Sequence, residues 1–429
     1  MKKNEFNILK IYMKLYIFAG IILGLMELIS YKSLGEAPGA DLYISRFDIM
    51  MLLVLQTVSL AMVYPIFLIS KDWRLKSGKL PNYRFELNFK RIHFVTFVII
   101  VAELIFSLKT GNAILGRKVS SGFSFLFNLI KISAWMPIYY VCARETKKPL
   151  YWINVILYVV YQLMCGWSFQ ILQVIIFEAY LYVKYKKNGK FIKTVIRFSG
   201  IMTIVAFIAG SYLYSYAFSL KNSIRYGLEL GSIPPLSFME GAQQLLSRFT
   251  NFPITVVAAQ NHAKIAALYS LQGKPFWELQ AILSPLLPRF FMPIKEYRPL
   301  GNIVKWALWE DQEIGNGTGY NFFVYWANIL ECNISCFVIG IVVFLVLTIC
   351  SIKIIYAFDN GSKDVEVLYF FFLFGLFSET SLATNFGYGY ISLIYTIPIL
   401  FLIGAIKIKR RQQFRKEYIK KIALNAQYL

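Results

Sequence analysis

The sequence predicts an all-α integral membrane protein with about ten transmembrane helices, both termini cytoplasmic, and one large outer loop with amphipathic helices. Three observations predict it. Apolar residues make up 57% of the 429-residue chain and charged residues only 16%, where a soluble domain carries roughly a quarter charged residues. Mean hydropathy is +0.54. The apolar residues fall in continuous blocks of roughly 17–25 residues, long enough to cross hydrocarbon as helix. They do not alternate as barrel strands do, and only helices and closed barrels satisfy their backbone groups in lipid. Finally, Lys and Arg cluster in the short segments between these blocks.

Spans are expected at 8–30, 48–70, 92–108, 122–143, 150–165, 167–183, 192–217, 333–356, 365–382 and 391–408. The organisation is then a membrane bundle over 1–217, a large loop over 218–319, further spans over 320–408, and a basic tail over 409–429. The first block follows basic residues but no small-residue cleavage site follows it, so it reads as a retained span. Positive residues concentrate in the cytoplasmic loops of membrane proteins. The N-terminus, the loops 71–91, 144–148 and 184–193, and the tail are all basic, which places them together inside. The loop with Lys109, Arg117 and Lys118 is the one contrary segment. The long loop is therefore outside.

A net charge of +22 would point to nucleic acid only as a patch on a soluble face. Here it sets topology, and no nucleic-acid partner is expected. Cys142, Cys165, Cys332, Cys336 and Cys350 lie mostly in or beside apolar blocks and read as free thiols. His93 and His262 are the only histidines, which excludes a multi-histidine metal site. Two charges fall inside spans, Glu103 and Lys131. A lone charge at the bilayer centre costs roughly 2.5–3.5 kcal/mol. A buried ion pair between them is favoured over a role in a substrate path.

The long loop is rich in aromatics, which argues against disorder. Ala258, Ala259, Ile265, Ala266 and Leu268 suggest amphipathic helices over 252–271, lying on the membrane or over the bundle. Its strongest local signal is the segment 288–299, which holds three prolines, Pro288, Pro293 and Pro299, and three cations, Arg289, Lys295 and Arg298. Proline fixes φ and stops helices, so this is a stiff turn that holds its side chains in place. Arg presents a planar fork to phosphate and Lys a point charge. Beside a membrane, such cations suit a diphosphate headgroup; an interfacial anchor to anionic lipid is the plainer alternative.

At this segment the chain resembles the Wzy-type oligosaccharide repeat-unit polymerases of O-antigen and capsule synthesis. Pro288, Arg289, Phe290, Pro293 and Lys295 match the family's Pro-Arg-Phe segment in a large outer loop. Gly273, Arg248 and Phe249 match upstream, and Gly317, Thr318, Gly319 and Asn328 downstream. The chain departs from the pattern at Glu296, where a Pro commonly follows the Lys. It departs again at 166–168, which lacks an Arg, and after Asn328, which lacks a Gly.

The resemblance implies a metal-independent glycosyltransferase with no cofactor, in the cytoplasmic membrane of a bacterium. It implies polyprenyl-diphosphate-linked oligosaccharide as substrate, with membrane lipids and a chain-length regulator as further partners. Arg248, Arg289, Lys295 and Arg298 would bind the diphosphate. The acceptor hydroxyl needs a base, for which His262, Glu296 and Asp311 are the candidates, with Glu310, Glu313 and Glu331 behind them. Trp277, Tyr297 and Trp306 could stack on sugar faces, although such rings pack more often than they bind sugar. No paired Asp-x-Asp stands in the first outer loop, so no metal is expected. The alternatives are a flippase for the same lipid-linked oligosaccharide and an O-antigen ligase. The single dominant outer loop and the lack of an internal repeat disfavour the flippase.

Overall fold

The computed structural model describes residues 5–34, 41–77, 83–85, 87–111, 130, 132–144, 149–165, 169–185, 199–226, 228–229, 231–247, 249–271, 300–309, 319–359, 364–378, 391–404 and 408–410. Over these residues it is an all-α membrane protein. The helices are α1 (Glu5–Ser30), α2 (Arg46–Ser77), α3 (Phe89–Thr110), α4 (Ile132–Ala143), α5 (Pro149–Cys165), α6 (Phe169–Tyr185), α7 (Ser199–Tyr226), α8 (Phe238–Ser247), α9 (Phe252–Gln260), α10 (His262–Ser270), α11 (Leu300–Trp309), α12 (Phe322–Cys332), α13 (Ile334–Ala357), α14 (Val365–Ser378) and α15 (Ile391–Ile403). The strands among the described residues are β1 (Tyr83–Phe85) and β2 (Ile408–Arg410), an antiparallel pair.

Among the described residues, four helical stretches are long and apolar enough to cross a membrane: Leu9–Ser30, Arg46–Ser70, Phe89–Thr110 and Ile334–Ala357. Shorter apolar helices accompany them, including Pro149–Cys165 and Val365–Ser378. The long helices carry large apolar side chains on their outer faces. On α2 these are Met50, Met51, Val54, Val58 and Met62; on α13 they are Ile334, Val338, Val342, Leu345 and Ile349. Contiguous apolar faces of this extent do not meet water on monomeric soluble proteins, and they suit lipid.

The chain forms two compact units. The first comprises Met1–Pro65, Glu178–Phe344 and Leu373–Gly387. In it, α1 packs on α8 and α9. Ala19 and Leu23 of α1 meet Leu246 of α8, with Phe207 and Phe249 beside them. Gly24 permits this approach, since a Cβ there would lie 2.8 Å from Leu53 and 3.0 Å from Phe252. At the end of α1 the buried Glu27 takes the Leu34 amide on Oε1 at 2.9 Å, turning the chain into the loop that follows.

Helix α7 runs nine residues beyond its expected end at Ala217, to Tyr226. Along it runs a row of small buried polar residues, Ser211, Ser215, Ser219 and Ser223, at helical spacing. Ser211 and Ser215 satisfy their hydroxyls on carbonyls one turn back, at 2.8 and 2.9 Å. Helix α8 lies against this row through Gly241, where a Cβ would stand 2.2 Å from Ser215 Oγ and 2.8 Å from the Ser211 carbonyl. The N-terminus of α8 is closed by a capping box. Glu240 Oε2 accepts from the Ser237 amide and hydroxyl at 2.9 and 2.7 Å, and the Glu240 amide donates back to Ser237 Oγ at 3.3 Å.

The second unit comprises Ile66–Phe177, Leu345–Phe372 and Tyr388–Leu429. Helices α3, α4, α5 and α15 pack together in it. Asn88 caps the N-terminus of α3, and Gly111, at φ 74°, closes its C-terminus in the left-handed region. One face of α3 is polar and buried. His93 Nδ1 lies 2.8 Å from the Tyr139 hydroxyl, and Asn154 Nδ2 reaches both that hydroxyl and the His93 carbonyl at 2.9 Å. Trp135 Nε1 donates to Thr96 Oγ1 at 3.0 Å. Glu103 is buried, and its Oε1 accepts the Ile132 amide, the first of α4, at 2.9 Å. The expected partner Lys131 lies outside the described residues, as does the 122–129 half of the span expected over 122–143.

Candidate functional site

The long loop supplies α8 to α11, and α12 leads from it into α13. The sequence suggested amphipathic helix over 252–271; instead two short helices meet at Asn261, and they differ in burial. Every residue from Phe252 to Ala258 in α9 is buried, so α9 is a core element of its unit. Helix α10 buries only Ile265 and Tyr269 and turns its other residues outward.

Buried amides hold α9 and α12 together. Asn321 caps α12, accepting from the amides of Phe323 and Val324 at 2.9 and 3.3 Å. Its own amide donates to Thr255 Oγ1 at 3.0 Å, and its Nδ2 donates to Gln56 Oε1 at 2.9 Å. Asn251 Nδ2 donates to the Gly319 carbonyl at 2.8 Å, and Asn328 Nδ2 to the Tyr320 hydroxyl at 3.0 Å. A fully paired polar set in a buried position fixes one arrangement of its helices.

On this base sits the candidate site. The bond between His262 Nδ1 and Glu331 spans the first residue of α10 and the penultimate residue of α12, with both carboxylate oxygens in reach at 2.8 and 2.9 Å. A carboxylate only accepts, so Nδ1 is the donor, and in the neutral ring Nε2 is left as the acceptor. The side chains are 54% and 39% exposed. Helix α10 is held by α11 and α12, and Lys264 Nζ donates to the Ala307 carbonyl of α11 at 2.8 Å. Trp306 stands half-buried on α11, in the layer that supports His262.

Gln260, two residues before His262, ties in the loop between α1 and α2. Its Oε1 accepts the Tyr43 amide at 2.8 Å, and its Nε2 donates to the Asp41 carbonyl at 3.1 Å. Glu331 stands just before Asn333, which caps α13 by accepting from Ser335 and Cys336 amides at 2.8 and 3.2 Å. The pair therefore lies where loop passes into a membrane-length helix.

Of the residues singled out in the sequence, His262 and Trp306 fall in this layer. Arg248, Trp277, Arg289, Lys295, Glu296, Tyr297, Arg298 and Asp311 lie outside the described residues. Sequence reasoning placed Glu331 among several acidic candidates but missed its pairing with His262, which joins residues 69 positions apart. Among the described residues no group of three or more His, Cys, Asp and Glu side chains is placed to hold a metal ion. All five cysteines are free thiols. No family model matches the chain, and neither a curated protein nor a solved structure matches it.

Proposed function

We propose that this protein is a polymerase of lipid-linked oligosaccharides, acting on the outer face of a bacterial cytoplasmic membrane. The observation that carries the reading is the segment 288–299, with Arg289, Lys295 and Arg298 set between prolines and matching the Pro-Arg-Phe pattern of the Wzy-type polymerases. The topology is about ten spans with both termini inside. Two contacts support it. Pairing of β1 with β2 needs the loop after α2 and the C-terminal tail on one side of the membrane. The Gln260 clamp needs the first outer loop and the long loop on one side. Both agree with the distribution of Lys and Arg.

The reaction joins a growing glycan to the non-reducing end of a new repeat unit. The acceptor hydroxyl oxygen bonds to the anomeric carbon of the growing glycan. The bond from that carbon to the diphosphate oxygen breaks, and its electron pair leaves with the polyprenyl diphosphate. The hydroxyl proton passes to His262 Nε2, while Arg248, Arg289, Lys295 and Arg298 meet the charge that grows on the leaving group. Fixed cations at such a position act far more strongly than in water. Trp277, Tyr297 and Trp306 flank the sugars.

Deleting the gene in its own host tests the reading. Single repeat units on polyprenyl diphosphate, exposed outside, are the expected product. Long chains retained on polyprenyl lipid would mark a ligase instead, and units trapped inside would mark a flippase.

A further inference from the structure

The geometry points to Glu331 as the residue that positions His262 for proton transfer, and this rests on the polymerase reading above. The bond from Nδ1 to both carboxylate oxygens, at 2.8 and 2.9 Å, fixes the tautomer and the ring plane together. An imidazole held only by its own rotamers presents Nε2 to an acceptor for part of the time. One anchored through Nδ1 presents it continuously, and the carboxylate offsets the charge that the ring gains on taking the hydroxyl proton.

The surroundings favour this role over a surface ion pair. Exposed pairs contribute about 0–1 kcal/mol to stability and are screened by salt, so stability alone gives this one little purpose. Its two ends are carried on elements that the fold takes trouble to fix. Glu331 ends a helix whose start is bonded by Asn321 to Gln56 and Thr255. His262 begins a helix whose stem is tied by Lys264 to α11. The ionisable groups on the elements packed around His262 are Lys264 and Tyr269 on α10, Lys305 on α11, and Tyr325, Glu331 and Cys332 on α12; α9 carries none. Of these, Glu331 is the carboxylate, and it bonds the ring nitrogen directly.

Glu331 also stands three residues before α13 begins. In the proposed topology that is the outer membrane interface, the level at which a sugar attached to a lipid diphosphate begins.

The test uses full-length protein in detergent and, as probe, the lipid fraction extracted from cells lacking the gene. Ladder formation is followed for wild type, Glu331→Ala, Glu331→Gln, His262→Ala and the double Ala variant, each checked for yield and elution profile. A general base contributes about 10²–10⁴-fold. Glu331→Ala is expected to slow elongation about tenfold or more at saturating lipid. Glu331→Gln, which still accepts from Nδ1, is expected to recover part of the rate. In the His262→Ala background, Glu331→Ala is expected to cost nothing further, a readout that a role in folding alone would not give. Equal losses from Glu331→Ala in both backgrounds, or a full rate for Glu331→Ala, would overturn the assignment with the polymerase reading intact. No ladder from wild type would overturn the polymerase reading and this role with it.

Discussion

Glu240 illustrates how a single side chain sets a helix end. The Ser237 hydroxyl, and after it the Ser237 amide, hold its carboxylate below the usual carboxylate range. A group depressed on folding stabilises above its unfolded pKa and loses that contribution as pH falls through its folded value. The capping box is therefore intact at neutral pH and opens only under acid. Ser237→Ala is expected to increase amide exchange in the first turn of α8 at pH 7 relative to wild type, with the difference closing under acid. An equal difference at every pH would contradict this. Gly241 works by absence. A methyl group there would press on the Ser211 carbonyl, which has no rotamer with which to yield. Gly241→Ala is expected to cost about 1–3 kcal/mol, as overpacking does, seen as a lowered melting temperature in detergent. Gly375→Ala, which meets nothing within 4 Å, serves as the control and is expected to leave stability unchanged or slightly raised.

Among the elements, those with strong local signals were legible and those defined by partners were not. Long apolar blocks became the membrane-length stretches of α1, α2, α3 and α13 with ends close to those expected, because lipid thickness sets their length, although helix α2 itself runs on to Ser77. The extension of α7 was not legible, since Ser219 and Ser223 in its last turns carry no local helix signal and are buried only in the folded unit. The same holds for α9. Its apolar run looks like half of an amphipathic stretch, and only tertiary contact decides that it is buried all round. Polar residues inside spans, such as Gln56 and Asn154, carried no signal of their own; their meaning lies in the cap of α12 and in the bond to Tyr139. The pair of α10 with α12 through His262 and Glu331 is likewise invisible to any local pattern.

At the scale of the whole molecule, the proposed topology puts the basic loops and the tail inside, and the two-stranded pair gives that placement a physical test. Arg84 faces Lys409 in the register of β1 with β2. Arg84→Cys with Lys409→Cys is expected to form a disulfide in oxidised membranes, detected by shifted mobility of a protein cleaved between the two positions. Either cysteine alone is expected to react with a membrane-impermeant thiol reagent only after the cytoplasmic face is opened. Labelling from intact cells would contradict the topology. The proposed chemistry requires His262, Glu331 and the cations of 288–299 to share the outer face, as the proposed topology has them.

The most direct test is complementation of cells lacking this gene with wild type and with Arg289→Ala, scored by glycan ladder and by protein level in the membrane. Wild type is expected to restore the ladder, and Arg289→Ala at normal level is expected to leave single repeat units, because the leaving diphosphate has lost its bidentate partner. A full ladder from Arg289→Ala would contradict the assignment of the diphosphate site, and the lack of any ladder from wild type would contradict the polymerase itself.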